Sequence, residues 1–199
     1  ERVGAAREII DEAGKSTRFM TPPSRGFKLL RDAVLSLSLT QDFVRPLYHW
    51  RTSRPHEYTG SALNCPGDDS ALFRAGPAPG APPKDVRLGN DDHLLDRLGT
   101  GFTLLCAVDS GALPAALQDC IAGVRARGVP VKVLAVGMGG SVQGADDALP
   151  DADGHLRAAY GLPAAGAAYL LRPDQHVCAR WITLDATRLQ AAFAQALPQ

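Results

Sequence analysis

The chain has 199 residues, with 21 Lys and Arg balanced by 21 Asp and Glu, so its formal net charge is zero. That length suits one domain, or one domain with an appendage. The balance argues against a nucleic-acid or membrane-surface partner, both of which need a basic excess. No apolar run approaches the roughly 20 residues needed to cross a bilayer, and no secretory pattern opens the chain. Glu1-Arg2-Val3 lacks an initiating Met and starts inside a helical pattern, so the sequence reads as a fragment of something longer or as a processed product.

Residues 1–18 show helical spacing of Val3, Ala6, Ile10 and Ala13, with Arg7, Glu8, Asp11 and Glu12 away from that stripe. Pro22 and Pro23 break the pattern. A second helix is predicted at about 26–39, with Phe27, Leu30, Val34 and Leu37 on one face. Residues 42–58 mix the aromatics Phe43, Tyr48, Trp50 and Tyr58 with arginines. Two amphipathic helices need a partner surface, so residues 1–58 read as part of a domain whose body lies elsewhere. Residues 59–84 are rich in Pro, Gly and Ala. They suit neither a helix interior nor a central strand, and read as a semi-extended connector.

From residue 85 the pattern becomes regular. DVRLGNDDHLLDRLG predicts a short strand, then a turn or helix. FTLLCAV at 102–108 is near-continuously apolar, as in a strand covered on both faces. Residues 110–128 predict a helix lined by Leu113, Leu117, Ile121 and Val124, with Arg125 and Arg127 in the last turn and Gly128 at C′. Residues 129–137 predict a second buried strand, 138–150 a loop, and 151–161 a short helix. AAYLLRP at 167–173 and HVCARWI at 176–182 flank Asp174-Gln175 and predict a hairpin. The last helix starts at the N-cap Asp185, with Leu184 and Leu189 at the hydrophobic-staple positions and Leu189, Phe193 and Leu197 facing inward. The order β-α-β-α-β-β-α over 102–199 is that of a thioredoxin-like α/β fold, a four-stranded mixed sheet with helices on both faces.

Four segments in this order resemble one family. ERVGAAREI at 1–9 is similar to an "ERR-x-x-A" segment, and LLRDAVLSL at 29–37 to an "LRD-x-x-L" helix. GPAPGAPPKDVRL with HLLDRLGTGFTLL is similar to "G-x-R-x-P…L-x-D-L-L-G-x-G-F-x-L-L". YLLRPDQHVCARW at 169–181 is similar to "LVRPDG-x-VAWR". Together they resemble the C-terminal part of the FAD-dependent aromatic hydroxylases, the flavoprotein monooxygenases related to phenol hydroxylase and 3-(3-hydroxyphenyl)propionate hydroxylase. The resemblance implies an intact enzyme in which NAD(P)H reduces FAD and one oxygen atom enters a phenol-like ring, the other leaving as water. It also implies the division 1–58 helical tail of the FAD/substrate domain, 59–84 connector, 85–199 thioredoxin-like C-terminal domain. The family's flavin fingerprints, an N-terminal G-x-G-x-x-G and a later Gly-Asp, are not in this sequence. The chain is therefore expected to bind neither FAD nor NAD(P)H, to carry no catalytic, cofactor or metal residues, and to serve domain packing. The implied partners are the missing N-terminal FAD/substrate domain and a possible homodimer mate, in the cytoplasm. The alternatives are a free-standing thioredoxin-like oxidoreductase and a pure interaction module.

Each candidate site has a structural explanation. The cysteines at 65, 106, 120 and 178 make no C-x-x-C and match no zinc spacing, so buried, reduced, cytosolic thiols are expected. Thiol redox chemistry on this fold needs a low-pKa thiolate at the start of the first helix, but Asp109-Ser110-Gly111 occupies that loop. Pro163 stands several residues ahead of the third strand, whose entry is Gly166-Ala167. The histidines at 49, 56, 93, 155 and 176 show no metal spacing. Asp151-Ala152-Asp153-Gly154 hints at a calcium loop, but Leu149 and Tyr160 would take its anchoring positions, so Asp151 or Asp153 is expected to cap the short helix. Asp91, Asp92, Asp146 and Asp147 read as solvated charges, and Arg172-Pro173-Asp174 as a turn braced by Arg172. VLAVGMGG at 133–140 supplies the strand of a dinucleotide fingerprint, but the third glycine position falls on Val142 and no helical stripe follows.

Overall fold

The computed structural model describes residues 1–48, 55–65, 69–89, 91–109, 111–137, 139–163 and 165–197. Trp50, Ser110 and Met138 lie outside them. The chain divides into two compact units, Glu1–His56 and Glu57–Gln199.

The first unit holds helices α1 (Arg2–Met20) and α2 (Arg25–Ser38) and a 3-10 turn over Asp42–Leu47. Pro22-Pro23 separates the helices, and the Ser24 hydroxyl caps α2 by accepting from the Phe27 N–H at 3.4 Å. Of the predicted apolar faces only Val34 is buried; Val3 and Ile10 are 66% and 67% exposed, and Phe27, Leu30 and Leu37 are exposed as well. Among the described residues of this unit only Ala5, Val34 and Val44 are buried apolar residues. The periodicity correctly marked helices, but this unit contains nothing large enough to cover both stripes.

The second unit is built on a five-stranded sheet in the order β3-β2-β1-β4-β5. Strands β1 (Phe102–Ala107) and β2 (Val131–Gly137) are parallel, joined through helix α4 (Ala115–Ala126). β4 (Ala168–Leu171) pairs antiparallel with β1 and with β5 (Val177–Trp181). With the short helix α5 (His155–Tyr160) and the final helix α6 (Ala186–Ala196), the predicted β-α-β-α-β-β-α order is present. One strand is added to it: β3 (Asp147–Pro150) runs parallel to β2 at the far edge, inside the stretch read as loop. Its four residues carry only one deeply buried apolar side chain, Leu149, so no alternation announces it.

Side-chain alternation along the strands feeds two cores. Leu104, Cys106, Val133, Ala135 and Leu170 face α4 and α6, where Leu117, Ile121, Val124, Leu189 and Phe193 meet them. Leu105, Leu134, Val136, Tyr169 and Leu171 face Leu156 and Tyr160 of α5 and Leu94 of the one-turn helix α3 (Leu94–Arg97). Helix α4 begins later than its apolar stripe suggests because Pro114 takes the N-cap position, and Gly128 follows its end at φ +81°. Asp185 caps α6 by accepting from the Arg188 N–H at 2.8 Å, and the staple residues Leu184 and Leu189 are both buried.

Residues 57–84 belong to the second unit. Their only regular element among the described residues is a 3-10 turn at Ser70–Leu72, in keeping with the Pro and Gly content. They are nevertheless fastened to β5. The Cys65 and Gly80 N–H groups donate to the carbonyls of Cys178 and Val177 at 2.8 and 2.7 Å, and the Val177 N–H donates to the Ala81 carbonyl at 2.9 Å. The segment thus covers part of an edge that would otherwise present unpaired backbone groups. The Arg180 guanidinium, on β5, donates to Ser70 Oγ, Ser70 O and Pro77 O at 3.0–3.1 Å and lies 4.8 Å over the Phe73 ring. Asp69 Oδ2 accepts from the Ile182 and Thr183 N–H groups and from Arg188. Composition suggests a semi-extended connector; backbone pairing and single polar anchors, which have no period, fasten it to the sheet edge as a covering strap.

Candidate functional site

In α/β sheets ligands gather at the carboxyl ends of parallel strands. Here β1 and β2 end against each other: Gly137 packs so closely that a Cβ would lie 2.8 Å from the Val108 carbonyl. The glycine run then turns away, with Gly139 and Gly140 at φ +99° and +89°, a region that glycine enters without steric cost. The following loop ties back to the start of the α4 connection: the Gln143 N–H donates to Gly111 O at 2.7 Å and the Leu113 N–H to Gln143 O at 2.9 Å. A small cavity of about 160 Å³ lies here, lined by Val108, Asp109, Gly111, Gly137, Gly139 and Gly140 among others. Arg157 spans the strand ends, donating to Val108 O at 3.1 Å, Val136 O at 3.4 Å and Asp109 Oδ1 at 2.9 Å.

This arrangement is not a cofactor cradle. Among the described residues no helix follows the glycine run before α5. Asp151 accepts from the Leu156 and Arg157 N–H groups at 2.9 and 2.8 Å, which is the capping role expected of it. A dinucleotide needs helix amides left open to its phosphates, and at this glycine run the Leu156 and Arg157 amides are held by Asp151 instead.

Cys106 and Cys178 are placed as buried hydrophobes, whereas Cys65 and Cys120 are partly buried. Burial pushes the Cys106 thiol up to about 11 and the Cys178 thiol up to about 12, and also raises Cys65 and Cys120. A fast, catalytic redox nucleophile needs the opposite shift. Gly166 fixes the entry of β4, its N–H donating to Ala107 O and its carbonyl accepting from Leu184.

Asp92, Asp146 and Asp147 serve ion pairs. Asp92 takes a two-point contact from Arg97 at 2.8 and 2.6 Å, and that hydrogen bond holds its carboxyl below the usual range. Asp147 lies 3.2 Å from the same Arg97, and Asp146 receives Arg125 and the Val133 N–H. Asp91 is exposed. A general acid needs a raised pKa, the opposite of the shift at Asp92. No group of three potential metal-ligating side chains occurs among the described residues.

Arg172 is the most deeply buried charge of the hairpin, 5% exposed. Its Nε and Nη2 meet Asp174 Oδ1 and Oδ2 at 3.1 and 2.7 Å, a fork geometry that fixes the turn. The Tyr58 ring packs 4.7 Å from the His176 ring and 6.0 Å from the Arg172 guanidinium carbon, and His176 Nδ1 lies 2.9 Å from Asp174 O. The brace predicted for Arg172 is present. The part taken by Tyr58, His176, Arg157, Arg180 and Asp69 has no signature in spacing; only the placement of charged residues within apolar strands hinted at Arg180.

The chain's fold is one found in flavin-dependent enzymes of known structure. The rebeccamycin biosynthetic enzyme RebC, solved with reduced flavin, matches at a TM-score of 0.62 and 20% identity over 98% of this chain and 34% of its own. Aklavinone-11 hydroxylase, in a ternary complex with FAD and aklavinone, matches at 0.52 and 24% over 84% of this chain and 34% of its own. The flavin-dependent monooxygenase PieE, in complex with FAD and substrate, matches at 0.51 and 23% over 88% of this chain and 30% of its own. The chain therefore spans about a third of the length of these proteins. No family model and no curated protein sequence matches it.

Proposed function

We propose that the chain is the C-terminal portion of an FAD- and NAD(P)H-dependent aromatic-ring monooxygenase, and that this portion is a non-catalytic scaffold. The observation that carries the reading is the fold shared over nearly the whole chain with RebC and, over most of it, with two other flavin-dependent enzymes. On this reading FAD, when bound, supplies oxygen-transfer chemistry in another part of the enzyme. The second unit, thioredoxin-like in its strand order, serves packing between domains or subunits. The first unit completes a neighbouring FAD/substrate domain in the cytoplasm. Its surface supports that role: of the large apolar residues exposed among the described ones, twelve lie in Glu1–His56 and only Leu63 and Leu72 in the second unit. Such a concentration marks an interaction face.

The purified 199-residue chain tests the scaffold assignment. It is expected to be colourless, to leave added FAD unbound in a dialysis equilibrium, and to oxidise no NAD(P)H with a phenol present. Yellow protein with phenol-dependent NAD(P)H oxidation would overturn it.

A further inference from the structure

The strap over residues 57–84 and the edge strand β5 meet at two cysteines. The β4–β5 ladder shifts register so that Leu170 faces Ala179 and Leu171 faces Val177, leaving Cys178 as the extra residue of a bulge. Its carbonyl accepts from the Cys65 N–H at 2.8 Å. Its sulfur leans toward the same segment, 3.3 Å from the Leu63 carbonyl. Cys65 is partly buried against the apolar cluster that contains Cys178. A backbone N–H···O=C contact of 2.8 Å brings the two residues' main chains together; where strands exchange such bonds Cα atoms lie about 5.5 Å apart, inside the roughly 4.4–6.8 Å range that a disulfide spans. Cys106 faces the same cluster, but from β1, two strands away from β5. That is about 10 Å at the usual strand spacing, beyond a disulfide's reach.

We propose that Cys65 and Cys178 form a peroxide-sensitive thiol pair, whose disulfide would fasten the strap covalently to the sheet edge. The inference rests on the second unit alone and is independent of the monooxygenase reading. Cys65, the more exposed of the two, meets the oxidant first. Its thiolate attacks hydrogen peroxide; an S–O bond forms, the O–O bond breaks, and the departing hydroxide takes a proton to become water. Cys178, giving up its proton, then attacks the Cys65 sulfur. The S–S bond forms, the S–O bond breaks, and a second water leaves. Two thiols lose two electrons and two protons, and one peroxide accepts them. Burial raises both thiols above their ordinary range, and Cys178 also feels the charge of Cys65. The pair therefore responds to sustained peroxide and not on a catalytic timescale. The closed loop runs from the strap through the whole sheet, so the bond restricts the unfolded chain strongly.

The test is to treat the full chain with hydrogen peroxide, alkylate the remaining thiols and map peptides without reduction. The expected result is a linked pair of peptides carrying Cys65 and Cys178, two hydrogens lighter than their sum and separated by dithiothreitol. The midpoint of thermal unfolding rises with it. Cys65→Ser, at the more exposed site, is expected to keep the circular dichroism spectrum and lose both effects. Cys65 ending as a sulfinic acid, or joined to Cys120 or to a second chain, with Cys178 still reduced, would overturn the proposal. A 65–178 link that leaves the midpoint unchanged would overturn the fastening role.

Discussion

Cys106 and Cys178 show how burial decides what a residue type does. Both are spaced like strand interior residues, and both end in the core facing α4 and α6. Burial raises Cys106 from an ordinary 9.0 to about 11, and Cys178 to about 12. The folded state therefore holds these protons more tightly than the unfolded chain. Their contribution to stability is complete below about pH 9 and falls as pH climbs toward 11 and 12. Urea unfolding from pH 8 to 11 is expected to show a declining midpoint, and Cys106→Ala to flatten part of that decline. A midpoint independent of pH in this window would show that the thiols are not buried as described. Ion pairs such as Arg97–Asp92 are only half-buried and contribute little by comparison.

The elements differ in how legible they were, and the reason is periodicity. Strand β1, helix α4, the hairpin and α6 bury continuous or regularly spaced apolar residues, so their pattern and their caps were readable before the structure. β3 has four residues and one deeply buried apolar side chain, and the strap has no pattern at all. Its attachment depends on backbone groups, on Asp69, and on Arg180 reaching from β5. It also depends on Gly76, which adopts φ +87° where a Cβ would run into the Tyr169 hydroxyl and the Tyr160 carbonyl. Tyr169 donates to that carbonyl at 2.6 Å, and Tyr160 donates to Lys84 O at 2.8 Å. A left-handed conformation alone costs a residue with a side chain about 1–2 kcal/mol, and the clash adds to it. Gly76→Ala is therefore expected to destabilise the second unit by at least about 2 kcal/mol in denaturant titration. Gly14→Ala, in α1 with open space around it, is expected to be neutral or slightly stabilising by helix propensity. Equal effects would mean that the strap is not held against the two tyrosines. At the glycine run, Val142 in the third glycine position and the lack of a helical stripe after Gly140 were visible in spacing. The bracing by Arg157 and Tyr58 was not, because each acts across a long stretch of chain.

At the scale of the whole molecule the two units contrast. Glu57–Gln199 has two cores on one sheet, whereas Glu1–His56 leaves most of its apolar residues on the outside. The sequence pattern marked both helices as amphipathic and in need of a partner surface, and the structure leaves their stripes exposed. The isolated chain is expected to self-associate as its concentration rises, by light scattering, and Leu30→Glu with Leu37→Glu to reduce that association while leaving the second unit's unfolding transition in place. A monodisperse monomer at every concentration would argue that the exposed stripe seeks no partner.

The central claim is that this chain completes a flavin-dependent monooxygenase. The most direct measurement is sequencing the coding DNA immediately upstream of the Glu1 codon. The account predicts an open frame that encodes, some hundreds of residues earlier, a strand, G-x-G-x-x-G and helix, followed by a Gly-Asp before Glu1. An upstream frame that is open and encodes no such flavin-binding segment, or one interrupted by a stop codon directly before Glu1, would contradict it.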